Sequence, residues 1–164
     1  MRTPRALLSA AVLAAASPAA AQLSNRSIAV ESGLSAPLEG DAAPRAALAL
    51  AATTWLDGDL EAVARIAFGA APETSGRGLD GAVTGTVGLR LSLLPEPLRP
   101  QVSLELGWAR RAGPAGAVDR LAYGAVIGIE WFPARDLSAS ARVALRGAGG
   151  ALSTECVLGL AAYF

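Results

Sequence analysis

Apolar and polar residues alternate along this chain from Ser27 to its end, the period of a β-strand whose side chains point in turn to opposite faces. The clearest stretch is Ala82–Leu93. There Val83, Gly85, Val87, Leu89, Leu91 and Leu93 interleave with Ala82, Thr84, Thr86, Gly88, Arg90 and Ser92. Ser27–Ala36 sets Ile28, Val30, Leu34 and Ala36 against Ala29, Glu31, Gly33 and Ser35. Gln101–Trp108 sets Val102, Leu104, Leu106 and Trp108 against Gln101, Ser103, Glu105 and Gly107. In Leu137–Arg146 an apolar row from Leu137 to Leu145 opposes Ser138, Ser140, Arg142, Ala144 and Arg146. Arg45–Leu56, Leu60–Ala70, Leu121–Phe132 and Ser153–Phe164 complete a set of eight predicted strands. Alanine blurs the contrast in Arg45–Leu56 and Leu60–Ala70, where a helix competes. Asp57-Gly58-Asp59 between them is a tight-turn signal that favours a hairpin.

The connections alternate in character. Leu38–Pro44, Ala71–Gly81, Ala109–Arg120 and Gly147–Leu152 are Gly-rich or polar and mostly longer. Asp57–Asp59, Pro95–Pro100 and Pro133–Asp136 between them are shorter and mostly marked by proline. Long connections at one end and short ones at the other predict an all-β, eight-stranded antiparallel up-and-down barrel. Ahead of it, Arg2 and Arg5, the apolar run Ala6–Ala16 and the small residues Ala19-Ala20-Ala21 read as a secretory signal peptide over residues 1–21. That run is too short to span a bilayer as a helix, so a retained anchor is the weaker reading. The barrel domain is then residues 22–164.

Export changes how the remaining composition is read. An oxidising compartment favours paired cysteines, but Cys156 stands alone, so no intrachain disulfide can hold the fold. No cysteine lies near the cleavage point, which argues against lipoprotein processing. Without Arg2 and Arg5, twelve arginines face 14 acidic residues, a balance of −2 that gives no reason to expect nucleic acid.

Alternation alone does not say which face is inside, since a soluble lipocalin-like barrel would turn the apolar face inward. Two features favour a membrane barrel. The polar face is rich in Ala, Gly, Ser and Thr and carries five glutamates (Glu31, Glu61, Glu105, Glu130, Glu155) against five arginines (Arg45, Arg65, Arg90, Arg142, Arg146). Small residues suit a narrow lumen, and buried charges must be paired. Aromatics gather at strand ends: Phe68, Trp108 and Tyr123 at the long-connection end; Trp55, Trp131, Phe132, Tyr163 and Phe164 at the other. Trp55, Phe68, Trp108, Tyr123, Trp131 and Phe164 are the expected aromatic girdle.

The last strand ends on Phe164, with Leu158, Leu160 and Ala162 on the same face. In this the chain resembles the bacterial outer-membrane barrel proteins, whose final strand carries alternating apolar residues and a terminal aromatic read by the assembly machinery. Its length and strand count are similar to those of the small OmpA- and OmpX-type barrels. The resemblance implies residence in the outer membrane, contact with its lipids and lipopolysaccharide, and passage through the barrel assembly machinery. It departs from larger relatives in lacking a peptidoglycan-binding domain, and its short outer connections weigh against an adhesin-like role.

Chemistry is sparse. Histidine is absent, whereas the enzymes of the resembled family rely on one as base or partner. No Ser or Thr has an obvious base beside it, so no catalytic residue is expected. Gly76-Arg77-Gly78-Leu79-Asp80-Gly81 matches G-x-G-x-x-G, but no helix is predicted after it, so it reads as a loop. Asp57 and Asp59 read as turn residues, two carboxylates being no calcium set. Cys156 falls in the apolar register, and zinc would need several N or S ligands, so no metal and no cofactor is expected. Arg110, Arg111 and Arg120 could meet lipopolysaccharide phosphates, although a solvated loop explains them as well. The glutamates and arginines of the polar face read first as a structural ion-pair network, second as a narrow polar path.

Overall fold

The computed structural model describes residues 25–39, 43–72, 79–93, 97–113 and 116–164. The signal-peptide residues 1–21 and the loop residues Gly76, Arg77 and Gly78 lie outside this set.

Eight strands follow in order: β1 (Arg26–Pro37), β2 (Arg45–Asp57), β3 (Leu60–Pro72), β4 (Leu79–Ser92), β5 (Leu98–Gly113), β6 (Gly116–Ala134), β7 (Leu137–Ala148) and β8 (Ala151–Tyr163). Each pairs antiparallel with its neighbour in sequence, and β1 pairs with β8, closing the sheet so that no edge remains. Closure matters because an open edge in hydrocarbon would leave backbone donors and acceptors unsatisfied. The strands run from 12 to 19 residues, longer than the roughly 9–11 a tilted strand needs to cross a bilayer.

The alternation becomes two surfaces. Ile28, Val30, Leu89, Leu104, Ile127 and Leu160 stand exposed on the outside, while their strand neighbours Ala29, Glu31, Arg90, Glu105, Val126 and Ala161 are buried inside. The soluble barrel, with its apolar face turned inward, is therefore excluded. Alanine-rich β2 and β3 are strands, not helices: a hairpin turns at Gly58, whose φ of 47° suits glycine.

The connections are shorter than the sequence suggests. Ala109–Arg120, expected as a loop, is mostly hairpin, with pairing carried out to Gly113↔Gly116. Gly147–Leu152 shrinks to a turn at Gly149 and Gly150, both at positive φ (58° and 89°), as a tight hairpin turn requires. β3 runs on to Pro72, and β4 begins at Leu79, inside the glycine motif, so Leu79, Asp80 and Gly81 are strand residues. β5 starts at Leu98, taking Leu98, Arg99 and Pro100 from the expected connection.

Candidate functional site

Among the described residues the buried charged side chains converge in the interior, and β-sheet parity puts them there. Glu31, Arg65, Glu105, Arg142, Arg146 and Glu155 come from β1, β3, β5, β7 and β8 and form one continuous chain. Arg142 Nη1 donates to Glu31 Oε1 at 2.6 Å, and Glu31 Oε2 accepts from Arg65 Nε at 2.8 Å. Arg65 Nη2 reaches Glu155 Oε1 at 2.8 Å, and the other Glu155 oxygen accepts from Arg146 Nε. Arg146 Nη1 continues to Glu105 Oε2 at 2.8 Å, which also accepts from Thr86 Oγ1 at 2.7 Å. Each carboxylate thus meets at least one guanidinium, the condition for burying either sign.

A second layer lies toward the β2–β3, β4–β5 and β6–β7 turns. Glu61 accepts from Arg90 Nη1 at 3.3 Å and from Ser92 Oγ at 3.2 Å. Glu130 accepts from Gln101 Nε2 at 2.5 Å, from Tyr163 OH at 2.8 Å and from Ser138 Oγ. Ser27 and Thr53 share a hydroxyl contact of 2.7 Å on β1 and β2. Below this layer the Arg99 guanidinium stands 4.8 Å from the ring centres of both Trp55 and Phe132. Phe132 in turn packs 5.2 Å from Tyr163. These rings and the arginine between them cap the short-turn end.

No family model and no curated protein matches the sequence. Among solved structures, Neisserial surface protein A aligns with a TM-score of 0.67 at 11% identity over 88% of this chain and 100% of its own. Ail, the attachment invasion locus protein of Yersinia pestis, aligns at 0.58 and 13% over 87% of this chain and 99% of its own. The outer membrane enzyme PagL aligns at 0.52 and 10% over 83% and 98%. The fold is that of the small outer-membrane barrels. At such identities the likeness is one of fold, and that fold carries an enzyme as well as surface proteins.

The outer wall of this small barrel is apolar, with Leu158, Leu160, Ala162 and Phe164 of the last strand all pointing outward. Phe68, Trp108, Tyr123 and Trp131 are also on the outside. Glycine makes room for one of these rings: a Cβ on Gly147 would stand 2.2 Å from Tyr123 Cζ. Because β5 and β6 run on past them, Trp108 and Tyr123 lie within strands and not at their ends. Trp108 Nε1 donates to Asp119 Oδ1 at 3.1 Å across that hairpin.

Three aromatics depart from the expected rim. Trp55 pairs with fully buried Glu61 and stacks on Arg99, so it belongs to the lumen cap and not to the girdle. Phe132 and Tyr163 are buried inside. Arg45 lines the opposite mouth, beyond Arg65 and Glu155. Sequence reasoning missed Arg99 and Tyr163 as lumen residues, while Gln101 stands on the polar face as expected. The signal for Arg99 was parity with Gln101, Ser103 and Glu105, and a Pro-marked connection hid it. Cys156 is exposed on the outer wall.

Proposed function

We propose that the chain is a bacterial outer-membrane protein with a structural or interaction role, whose lumen is filled by its own glutamates and arginines and which catalyses no reaction. The observation that carries this is the interior itself. Charged side chains from β1, β3, β5, β7 and β8 are joined in one bonded chain, and an aromatic–arginine cap lies beneath them. An eight-stranded barrel is only wide enough for side chains to fill. The lumenal hydroxyls of Thr86, Ser92 and Ser138 each donate to a glutamate carboxylate, and no histidine exists anywhere in the chain to act as a base. The apolar wall calls for outer-membrane lipids and lipopolysaccharide as its surroundings. The outward Leu158, Leu160, Ala162 and Phe164 are the surface offered to the barrel assembly machinery.

The test is extraction of the outer membrane in detergent followed by electrophoresis with and without boiling. A closed barrel keeps a distinct mobility until boiled; identical mobility under both conditions would defeat the reading. The competing reading, a narrow channel for small solutes, would gain first place from steady unitary conductance in a planar bilayer.

A further inference from the structure

The chain of ion pairs and the layer beneath it meet at Arg142 and Gln101. Strand register sets Gln101 of β5 opposite Gly128 of β6, and Gly128 opposite Arg142 of β7. Both side chains are buried in the lumen, at 4% and 9% exposure, and the glycine between them adds no side chain of its own. Each holds one buried polar atom that finds no hydrogen-bond partner among the described residues: Gln101 Oε1 and Arg142 Nε.

The other arms of these two groups end side by side. Gln101 Nε2 donates to Glu130 Oε2 at 2.5 Å, and Arg142 Nη2 donates to Ser140 Oγ at 3.0 Å. Glu130 and Ser140 face each other across β6 and β7. The guanidinium is a planar fork whose Nε–H and Nη2 share one edge, so the Nε–H is turned toward the same pair as the Gln101 amide. Reversing that amide would not relieve its oxygen, because Oε1 would then meet the Glu130 carboxylate, which only accepts. Arg142 is not free to swing either, since its Nη1 is held by Glu31 Oε1 at 2.6 Å.

What can meet both atoms is narrowly defined. An anion would accept from the Arg142 Nε–H but oppose the amide oxygen, and a cation would do the reverse. A small group that accepts one hydrogen bond and donates another suits both, and water does so in polar interior sites with two or more partners. We propose that one ordered water is built into the lumen here, accepting from Arg142 Nε and donating to Gln101 Oε1. It ties the Arg142 end of the ion-paired chain to the Glu130 layer, so that the interior is one network of protein and solvent. The proposal deepens the filled-lumen reading and rests on it.

A crystal structure of the full-length barrel, purified in detergent and solved at a resolution that shows ordered solvent, tests it, with Gln101→Met solved alongside. Met keeps an unbranched side chain and loses both amide functions. In the wild type a single solvent peak is expected within about 2.7–3.2 Å of both Gln101 Oε1 and Arg142 Nε. In Gln101→Met that peak is lost; should this variant fail to fold, the wild-type peak alone decides. A direct contact between the two atoms with no solvent peak overturns the proposal. So do separate waters on each atom, or a peak that stays on Arg142 Nε in Gln101→Met. All three leave the closed, filled barrel standing. A lumen whose glutamates and arginines are parted by a continuous column of water would instead count against the filled-lumen reading itself.

Discussion

Long lumenal side chains lie against glycines on the neighbouring strand: Glu31 opposite Gly159, Glu105 opposite Gly88, Arg142 opposite Gly128 and Arg146 opposite Gly124. A Cβ at Gly128 would stand 2.6 Å from Arg142 Cγ and 2.7 Å from the Ala141 carbonyl oxygen, so backbone would have to move. Gly128→Ala should therefore cost about 1–3 kcal/mol, the range for overpacking, read from the urea midpoint in detergent. An unchanged midpoint would mean the lumen relaxes freely. The paired signs were legible in the sequence, since parity alone puts Glu and Arg on one face. The glycines were not, because which glycine faces which guanidinium depends on register between strands. On the other face, Leu89→Arg, outward and further into β4, should cost about 2–4 kcal/mol inside the bilayer, whereas Thr86→Ser keeps the hydroxyl that serves Glu105 and should be nearly silent. Equal tolerance of both would contradict the assignment of faces.

At the scale of strands, all eight were readable from period two, and their ends were not. Ala109–Arg120 looks like a loop because Gly, Ala and Arg carry little β preference. The hairpin forms regardless, held by its backbone ladder and by cross-strand contacts such as Arg110 with Asp119. The last strand raises a different question, since its role in assembly is a matter of exposure and not of packing. Phe164 points outward and its backbone N–H reaches only the Arg26 carbonyl, at 3.0 Å. Removing it takes little from the folded barrel, yet deletes the terminal aromatic of the outward row. Deletion of Phe164 is expected to reduce membrane insertion and leave protein in the periplasm, measured by fractionation of cells expressing the truncated chain. Normal insertion would show that the row at Leu158, Leu160 and Ala162 suffices.

For the whole molecule, the lumen is asymmetric: open and arginine-lined at one end, filled in the middle and capped at the other. Inward-facing Glu and Arg could be read from the sequence. The cap could not, because it joins Trp55, Arg99 and Phe132 from three strands whose alignment only the closed barrel creates. Such an interior should carry no steady current. The bonded chain from Arg142 to Glu105 balances its own charges, so it offers no single-sign path through the middle. The cap adds a second, independent obstruction. Arg65 bridges Glu31 and Glu155, as Arg146 bridges Glu155 and Glu105. Arg65→Ala should leave Glu31 to Arg142 and Glu155 to Arg146, with one buried negative charge in excess, and cost about 3–5 kcal/mol, the range for breaking a buried pair. Arg90→Ala should cost a similar amount, because it removes the guanidinium that meets fully buried Glu61 and leaves the Ser92 hydroxyl on that carboxylate. Neither variant should conduct while the cap is in place, whereas Arg65→Ala combined with Arg99→Ala and Phe132→Ala should. Planar-bilayer recordings on the wild type, the two single variants and the triple variant decide this. Unitary conductance from the pure wild type would mean that neither the chain nor the cap blocks the lumen.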